Sequence, residues 1–336
     1  IGHISTHVTM TSDKDSNRSY SGSLTSHNLN LGVLLSDEQK FGMADFNIIL
    51  NGYNKSKNNP ESSIKGVISS LEYCNYRYEN ITFEGLYKND GFNGTLALND
   101  DNGSIEIDGH FNTTHTIPYF KIQALVKNVR PNELNLSDKY KDSDISLKLT
   151  ADFSGNTIEN LNGRISLDSL ILNESNKQAY ILDNLTITAN QKINGEKELR
   201  ILSSFMNALI QGDYTYQSIP TSIFHSIQRH IPALVSSNGS RWVPRNNFKF
   251  DIHIDNAELF EKVFQLPIQK HMPLKLKGYI NDAYEQMNIE GAFPQISYKG
   301  TLYESTNLYF NYSPEKLNCL LRTGMLMKSG AMLNLS

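Results

Sequence analysis

The chain has 336 residues, a formal net charge of −4 and 37 Asn against only 12 Ala. Asn disfavours helix interiors and Ala is the best helix former, so this composition excludes a mainly helical protein. The 15 Phe and 17 Tyr, with hydrophobic residues at 39%, supply enough apolar surface to exclude wholesale disorder. The acidic balance gives no electrostatic basis for binding nucleic acid.

Alternation of apolar and polar residues with a period of two predicts strands along most of the chain. In residues 104–111, for example, Ile105 and Ile107 alternate with Ser104, Glu106 and Asp108. Similar runs recur up to residue 293, and they predict about 16 to 18 strands. Strands with one apolar and one polar face are typical of antiparallel sheets, so we predict an all-β, mostly antiparallel fold.

Glycine-containing pairs punctuate these runs. Asn-Gly occurs at 51–52, 93–94, 102–103, 162–163, 194–195 and 238–239, and Asp-Gly at 90–91 and 108–109. An Asn-Gly pair between alternating runs is the strongest local hairpin signal. Glycines inside a strand pattern predict bends or bulges instead, and they stand at Gly85, Gly109, Gly212, Gly278 and Gly291.

Two segments depart from the strand pattern. Residues 221–234 place Ile223, Phe224, Ile227 and Ile231 at helical spacing, and 255–266 is a second helical run that Pro267 ends. We therefore divide the chain into β-groove modules over 1–220, an amphipathic helix with a loop over 221–247, and a further β-groove module over 248–336 with a short helix near 256–265. Each helix is expected to cover an open end or edge of the sheet; recruitment of a membrane or partner is the alternative.

No catalytic motif, cofactor-binding motif or metal-ligand spacing is present in the sequence, and we predict a protein that is not an enzyme. The Asp100-Asp101-Asn102-Gly103 run lacks the distal Glu of an EF-hand and is interpreted as a turn. Cys74 and Cys319 are predicted to be free thiols. The chain has no apolar run of membrane-spanning length, and it opens at Ile1 without Met, so we interpret it as a piece of a longer chain.

Weak internal repeats run through the sequence. Phe120-Lys121 matches Phe248-Lys249, and Leu147-Lys148-Leu149 matches Leu274-Lys275-Leu276, at nearly the same offset. The consistent order of such matches along the chain favours a repeated β-module, whose uncovered apolar faces must stack on one another.

An ordered set of motifs resembles a known family. Residues 64–68 (IKGVI), 78–85 (YENITFEG), 103–109 (GSIEIDG), 129–136 (VRPNELNL), 161–165 (LNGRI) and 212–216 (GDYTY) together resemble the TamB family, which belongs with AsmA-like and other repeating β-groove proteins. The resemblance covers most of residues 40–312. It implies an elongated, curled, mostly antiparallel β-groove (β-taco) of stacked repeats with one or two short covering helices. It also implies that this groove lies in the periplasm, within an inner-membrane-anchored parent chain whose C-terminal portion meets a BamA-superfamily barrel in the outer membrane.

The apolar stripe of the strands is the candidate functional element. It can close on itself as an ordinary sandwich core, or it can form the floor of an open groove, and the resemblance favours a groove that carries phospholipid acyl chains between the two membranes. The alternatives are a scaffold that assists insertion of barrel proteins or autotransporters, and a secreted β-solenoid adhesin or glycan-degrading enzyme. The predicted groove lining comprises Ile81, Phe83, Leu96, Leu98, Ile105, Ile107, Phe120, Ile122, Leu147, Leu149, Leu185, Ile187, Phe250, Ile252, Leu274, Leu276 and Ile289.

Overall fold

The computed structural model of the chain describes residues 2–13, 18–54, 60–88, 90–112, 116–175, 179–230, 243, 245–256, 273–298, 301–326 and 332–335. These residues form 21 strands, two α-helices and one short 3-10 helix. The strand pairings are antiparallel, and the prediction of an all-β, antiparallel fold is confirmed. The strands outnumber the predicted 16 to 18 because short ones such as Leu29–Asn30 and Tyr180–Leu182 have too few residues to show a period.

The chain divides into two compact units, of which the first comprises residues 1–156 and 165–181. Its strands follow in chain order: β1 (His3–Ser12), β2 (Arg18–His27), β3 (Leu29–Asn30), β4 (Phe41–Asn54), β5 (Pro60–Tyr73), β6 (Tyr76–Lys88), β7 (Gly91–Asp100), β8 (Gly103–Asn112), β9 (Tyr119–Val129) and β10 (Ser143–Ser154). The strand β11 (Asn162–Glu174) and the short β12 (Tyr180–Leu182) follow.

Successive strands of unit 1 pair as an antiparallel meander. β1 pairs with β2 and β2 with β4, and each strand from β4 to β10 pairs with the next, while β3 adds a short pairing to β4. The described strands of unit 1 form an open sheet. It therefore keeps two distinct faces, and the alternation of the sequence decides which face each side chain occupies.

Unit 2 comprises residues 157–164 and 182–336. It contains the 3-10 helix Ile158–Asn160, the helix α2 (Ile219–His230), and the strands β13 (Leu185–Gln191), β14 (Lys197–Ser203), β15 (Met206–Asp213), β16 (Asn247–Ile254), β17 (Leu274–Asn281), β18 (Gln286–Tyr298), β19 (Thr301–Tyr312), β20 (Leu317–Leu326) and β21 (Met332–Leu335). Each strand again pairs antiparallel with the next.

The helix α2 confirms the helix predicted for 221–234 over the described part of that segment. It begins at Ile219, and Pro220 is its second residue. Proline is favoured in the first turn of a helix because the N–H that it lacks would have no partner there. Ile231 and the helix predicted near 256–265 lie outside the described residues. A helix that the sequence analysis missed, α1 (Leu31–Leu35), starts at Asn30, whose side chain accepts a hydrogen bond from the Val33 amide at 3.1 Å.

Glycine-containing pairs divide between turns and strands. Asn102-Gly103 and Asn194-Gly195 form turns as predicted, whereas the pairs at 51–52, 93–94 and 162–163 lie within β4, β7 and β11. The pair at 238–239 lies outside the described residues. The bulges predicted at Gly85, Gly109 and Gly278 are also absent from the described pairings, whose register runs unbroken through these positions.

Both cysteines are free, as predicted, with Cys74 half-buried and Cys319 exposed. Among the described helices none has the length and apolar character needed to cross a bilayer.

Candidate functional site

The predicted lining residues of unit 1 all lie on one face of its sheet. The cross-strand register places them in rows that run perpendicular to the strands, and each row is set by directly opposed residues. Because same-face residues are two apart along a strand, adjacent rows are about 7 Å apart, and adjacent strands are about 4.8 Å apart. We call this the apolar face, and it carries the ten predicted residues Ile81, Phe83, Leu96, Leu98, Ile105, Ile107, Phe120, Ile122, Leu147 and Leu149.

Four rows make up the apolar face across β5–β10. The first, the floor row, holds Gly66, Phe83, Leu96, Ile107, Ala124 and Leu149. On one side of it lies the covered row Ile68, Ile81, Leu98, Ile105, Val126 and Leu147; on the other lies the glycine row Ile64, Gly85, Gly94, Gly109, Ile122 and Ala151. The aromatic row, Tyr87, Phe92, Phe111, Phe120 and Phe153, closes the series near the strand ends.

An irregular segment that follows β9 covers one end of the apolar face. Leu134 is 0% exposed and packs with Tyr78, Leu98 and Val129, while Ile81 and Ile105 of the covered row contact the same cluster. The Tyr78 hydroxyl donates a hydrogen bond to the Leu134 carbonyl oxygen at 2.6 Å. Predicted lining residues in this row therefore serve a local core, which the sequence analysis did not foresee.

Burial raises the pKa of Tyr78 to about 12. A tyrosine pKa that is higher in the folded than in the unfolded chain leaves stability intact below the unfolded value near 10 and removes it as the pH rises through the folded value. We expect unit 1 to lose stability between about pH 10 and pH 12, and Tyr78→Phe to reduce that loss. Urea unfolding of both proteins across this interval measures the difference; an identical pH dependence would contradict the assignment.

The rest of the apolar face stays half-exposed. Leu96 of the floor row is 41% exposed, and farther along the same face Val8 and Met10 of β1 are 61% and 71% exposed. These β1 residues oppose Gly22 and Tyr20 of β2, which continue the glycine and aromatic rows through Leu50 and Gly52 of β4. Over the described residues, this part of the apolar face is therefore accessible to solvent and is not filled as a closed core would be.

The opposite face of unit 1, which we call the polar face, carries cross-strand ion pairs together with a few exposed apolar residues, such as Ile49 and Val67, which are 47% and 48% exposed. Lys65 Nζ lies 3.2 Å from Glu84 Oε2, and Lys148 Nζ lies 3.4 Å from Asp168 Oδ2. Exposed pairs of this kind contribute about 0–1 kcal/mol each to stability. Their consequence is mainly solubility, since they leave one face wet while the other remains apolar.

A cavity of unit 1 opens on this polar face. It has a volume of about 690 Å³ and is lined by three successive residues from each of the strands β5–β10, centred on the floor row. Its walls are two rows of side chains on the polar face, one of which includes Lys65 and Glu84 and the other Val67 and Lys148. Residues of the covered row on the apolar face, such as Ile81 and Ile105, do not line it. A similar trough of about 640 Å³ lies on the polar face of unit 2.

Unit 2 also gathers its seven predicted lining residues on one face. The register opposes Phe250 to Gly278 and Ile252 to Leu276, and the same row pattern connects β13 to β19. The residues concerned are Leu185, Ile187, Phe250, Ile252, Leu274, Leu276 and Ile289.

The helix α2 covers one end of that face in unit 2. Ile219, Ile223 and Ile227 pack on a buried cluster that includes Ile280 and Met287. Phe250 and Ile289 of the predicted lining contact the same cluster.

A buried polar network fixes the first half of α2. Asp282 accepts hydrogen bonds from the Ser222 hydroxyl at 2.7 Å and from the backbone N–H of Asn246 at 2.9 Å. Asn246 in turn donates from its side chain to Ser222 at 2.7 Å and accepts from Ser218 at 2.9 Å. Because buried polar groups are costly unless they are paired, this network holds the helix in one position on the sheet.

Within the residues that the structure describes, no group of three or more His, Cys, Asp or Glu side chains is placed to hold a metal ion.

No family model, curated protein or solved structure matches this chain. The resemblance to the TamB family therefore stays a prediction from the motifs of the sequence.

Proposed function

We propose that the chain is a non-enzymatic lipid-binding β-groove protein whose apolar faces hold phospholipid acyl chains. The observation that carries this proposal is the half-exposed apolar face of unit 1. Leu96 in its floor row and Val8 and Met10 in β1 keep large apolar areas accessible, although the opposite face is charged. A folded domain that pairs a wet face with an uncovered apolar face favours an apolar ligand.

Size and energy support acyl chains as the ligand. The six strands β5–β10 span about 24 Å at about 4.8 Å per strand. A methylene that is fully removed from water gains about 0.8 kcal/mol, so partial burial of many methylenes along this length still gives useful affinity. The apolar rows offer no charged partner for a headgroup, which would stay in the solvent.

The wider role in this proposal rests on the motif resemblance. Like the TamB family, the parent protein would be anchored in the inner membrane, would carry phospholipid through the periplasm in support of outer-membrane biogenesis, and would contact a BamA-superfamily barrel. A protein of this kind binds no nucleic acid and needs no cofactor.

Leu96→Asp tests the proposal, because it places a charge on the floor row at a position exposed enough to keep the fold. We expect the variant to lose most of the phospholipid that the wild-type protein takes up from phosphatidylethanolamine vesicles, measured by native mass spectrometry of the separated protein. Thr95→Asp is the matched control, since Thr95 is the preceding residue and faces the polar side. Its lipid uptake should equal that of the wild type.

Two results would count against the proposal. Uptake by Leu96→Asp equal to that of the wild type would remove the floor row from lipid binding. Cooperative unfolding of Leu96→Asp at a much lower temperature than Thr95→Asp would indicate that the row is a closed core, since an unpaired buried charge is expensive.

A further inference from the structure

Aromatic rings lie directly over several glycines of the apolar face. A Cβ atom added to Gly85 would lie 2.2 Å from Phe92 Cζ, and one added to Gly109 would lie 2.6 Å from Phe111 Cε2. Gly94 meets the other edge of the Phe92 ring at 2.6 Å. Each ring therefore occupies the space that a side chain would take at the glycine, and it lies low over the backbone.

The same contact recurs beyond the glycine row and in both units. Phe83 Cζ would be 2.5 Å from a Cβ at Gly66, and Phe293 Cε2 would be 2.5 Å from a Cβ at Gly291. The register through these glycines is regular, so the glycines are not bulges. Their backbones also avoid the left-handed region, because none of these positions has a positive φ. The absent side chain, and not backbone freedom, is what these positions require.

The glycines also determine how far the aromatic rings stand above the sheet. With alanine at Gly109, the Phe111 ring must lift away from the sheet, because the ring is the only group closer than 3.7 Å to the added Cβ. The lifted ring would stand beside the floor row, because Ile107 of that row is the same-face residue next to Gly109 on β8. The glycines thus keep low the strip of surface that borders the floor row.

We propose that Gly85, Gly94 and Gly109 determine ligand specificity by keeping the Phe92 and Phe111 rings flat, so that an unbranched hydrocarbon chain can lie across β6–β8. This inference rests on the proposed function and adds which residues set the shape of the ligand. A straight chain makes close contact with a flat floor, whereas a chain with methyl branches is held away from it and loses contact area. The wild-type protein should therefore bind palmitate more tightly than the methyl-branched phytanate.

Gly109→Ala is the central test, with radiolabelled palmitate as the probe in equilibrium dialysis. We expect its palmitate affinity to fall about tenfold, which corresponds to about 1.4 kcal/mol. The double variant Gly109→Ala/Phe111→Ala removes the ring that must lift and should recover affinity to within about threefold of Phe111→Ala. A loss of affinity caused only by weaker packing would become larger in the double variant, so recovery separates the two explanations.

Gly91→Ala is the matched control, because Gly91 precedes Phe92 on the polar side and its added Cβ comes no closer than 3.0 Å to its nearest neighbour, the His110 ring. It should bind palmitate as the wild type does. If Gly109→Ala fails to fold, the pair Gly85→Ala and Gly85→Ala/Phe92→Ala repeats the comparison, since the nearest atom outside the Phe92 ring is Ile64 Cγ2, at 3.3 Å.

The outcomes separate this inference from the proposed function. Palmitate binding by the wild type together with unchanged affinity in Gly109→Ala, or with no recovery in the double variant, overturns the inference alone. Equal wild-type affinity for palmitate and phytanate also overturns it. A wild-type protein that binds neither fatty acid nor vesicle phospholipid overturns both proposals.

Discussion

Leu134→Ala is expected to lower the free energy of unfolding of unit 1 by about 2–5 kcal/mol, the range for fully buried leucines. Leu134 is 0% exposed, and it closes the cluster formed by Tyr78, Leu98 and Val129 at one end of the apolar face. The alanine leaves a cavity that the surrounding strands cannot fill, because their positions are fixed by the sheet hydrogen bonds. Chemical denaturation followed by tyrosine fluorescence measures the change.

Leu136→Ala supplies the control for this prediction. Leu136 belongs to the same irregular segment but is 53% exposed, so its truncation should change stability by less than about 0.5 kcal/mol. Equal effects of the two substitutions would show that the segment does not cover the sheet as the structure places it.

Replacing Ile223 and Ile227 together with serine should destabilise unit 2 by about 2–4 kcal/mol, since both side chains are half-buried against the cluster of Ile280 and Met287. The substitution removes most of the apolar contact of α2 and leaves the Asp282 network to hold the helix. Thermal unfolding of the chain measures the loss. Hydrogen exchange should show that the amides of α2 lose protection before those of β16–β19.

Phe224→Ser is the control on the other side of the helix, where Phe224 is 56% exposed, and its effect on stability should be small. Flotation of the chain with liposomes distinguishes the alternative role of α2. If the double serine variant kept its stability but lost flotation, α2 would be a membrane element and not a cover of the sheet.

The fold class and the faces of the strands could be predicted from the sequence because both depend on a strictly local period. Side chains two apart on a strand share a face whatever the strand pairs with, so Ile105 and Ile107 must lie together. Antiparallel pairing in an even register then brings their neighbours Leu96, Leu98 and Leu149 to the same face. Every predicted lining residue consequently lies on the apolar face of its unit.

The positions of turns were predicted less well. An Asn-Gly pair allows the positive φ values of a tight turn, but it does not require the chain to reverse there. The pair at 93–94 lies in β7 because the chain has already turned just before, where Asp90 adopts a φ of 61°. Once that turn is made, Gly94 pairs with Gly85 and lies beneath the Phe92 ring. A glycine that predicts a turn from its local sequence therefore makes room for an aromatic ring in the folded chain.

The sequence by itself determined an all-β chain with an apolar and a polar face, since composition and a period of two act on each residue independently of the rest. Only the tertiary structure decided which parts of the apolar face are covered. Leu134 comes from an irregular segment without periodicity, and α2 packs on strands that follow it in the chain, where its Ser226 meets Met287, 61 residues farther along. Tertiary structure also decided that these glycines lie beneath aromatic rings and do not form bulges. Both outcomes depend on which strands become neighbours, and that choice is set by cross-strand register and side-chain packing, which no local pattern encodes.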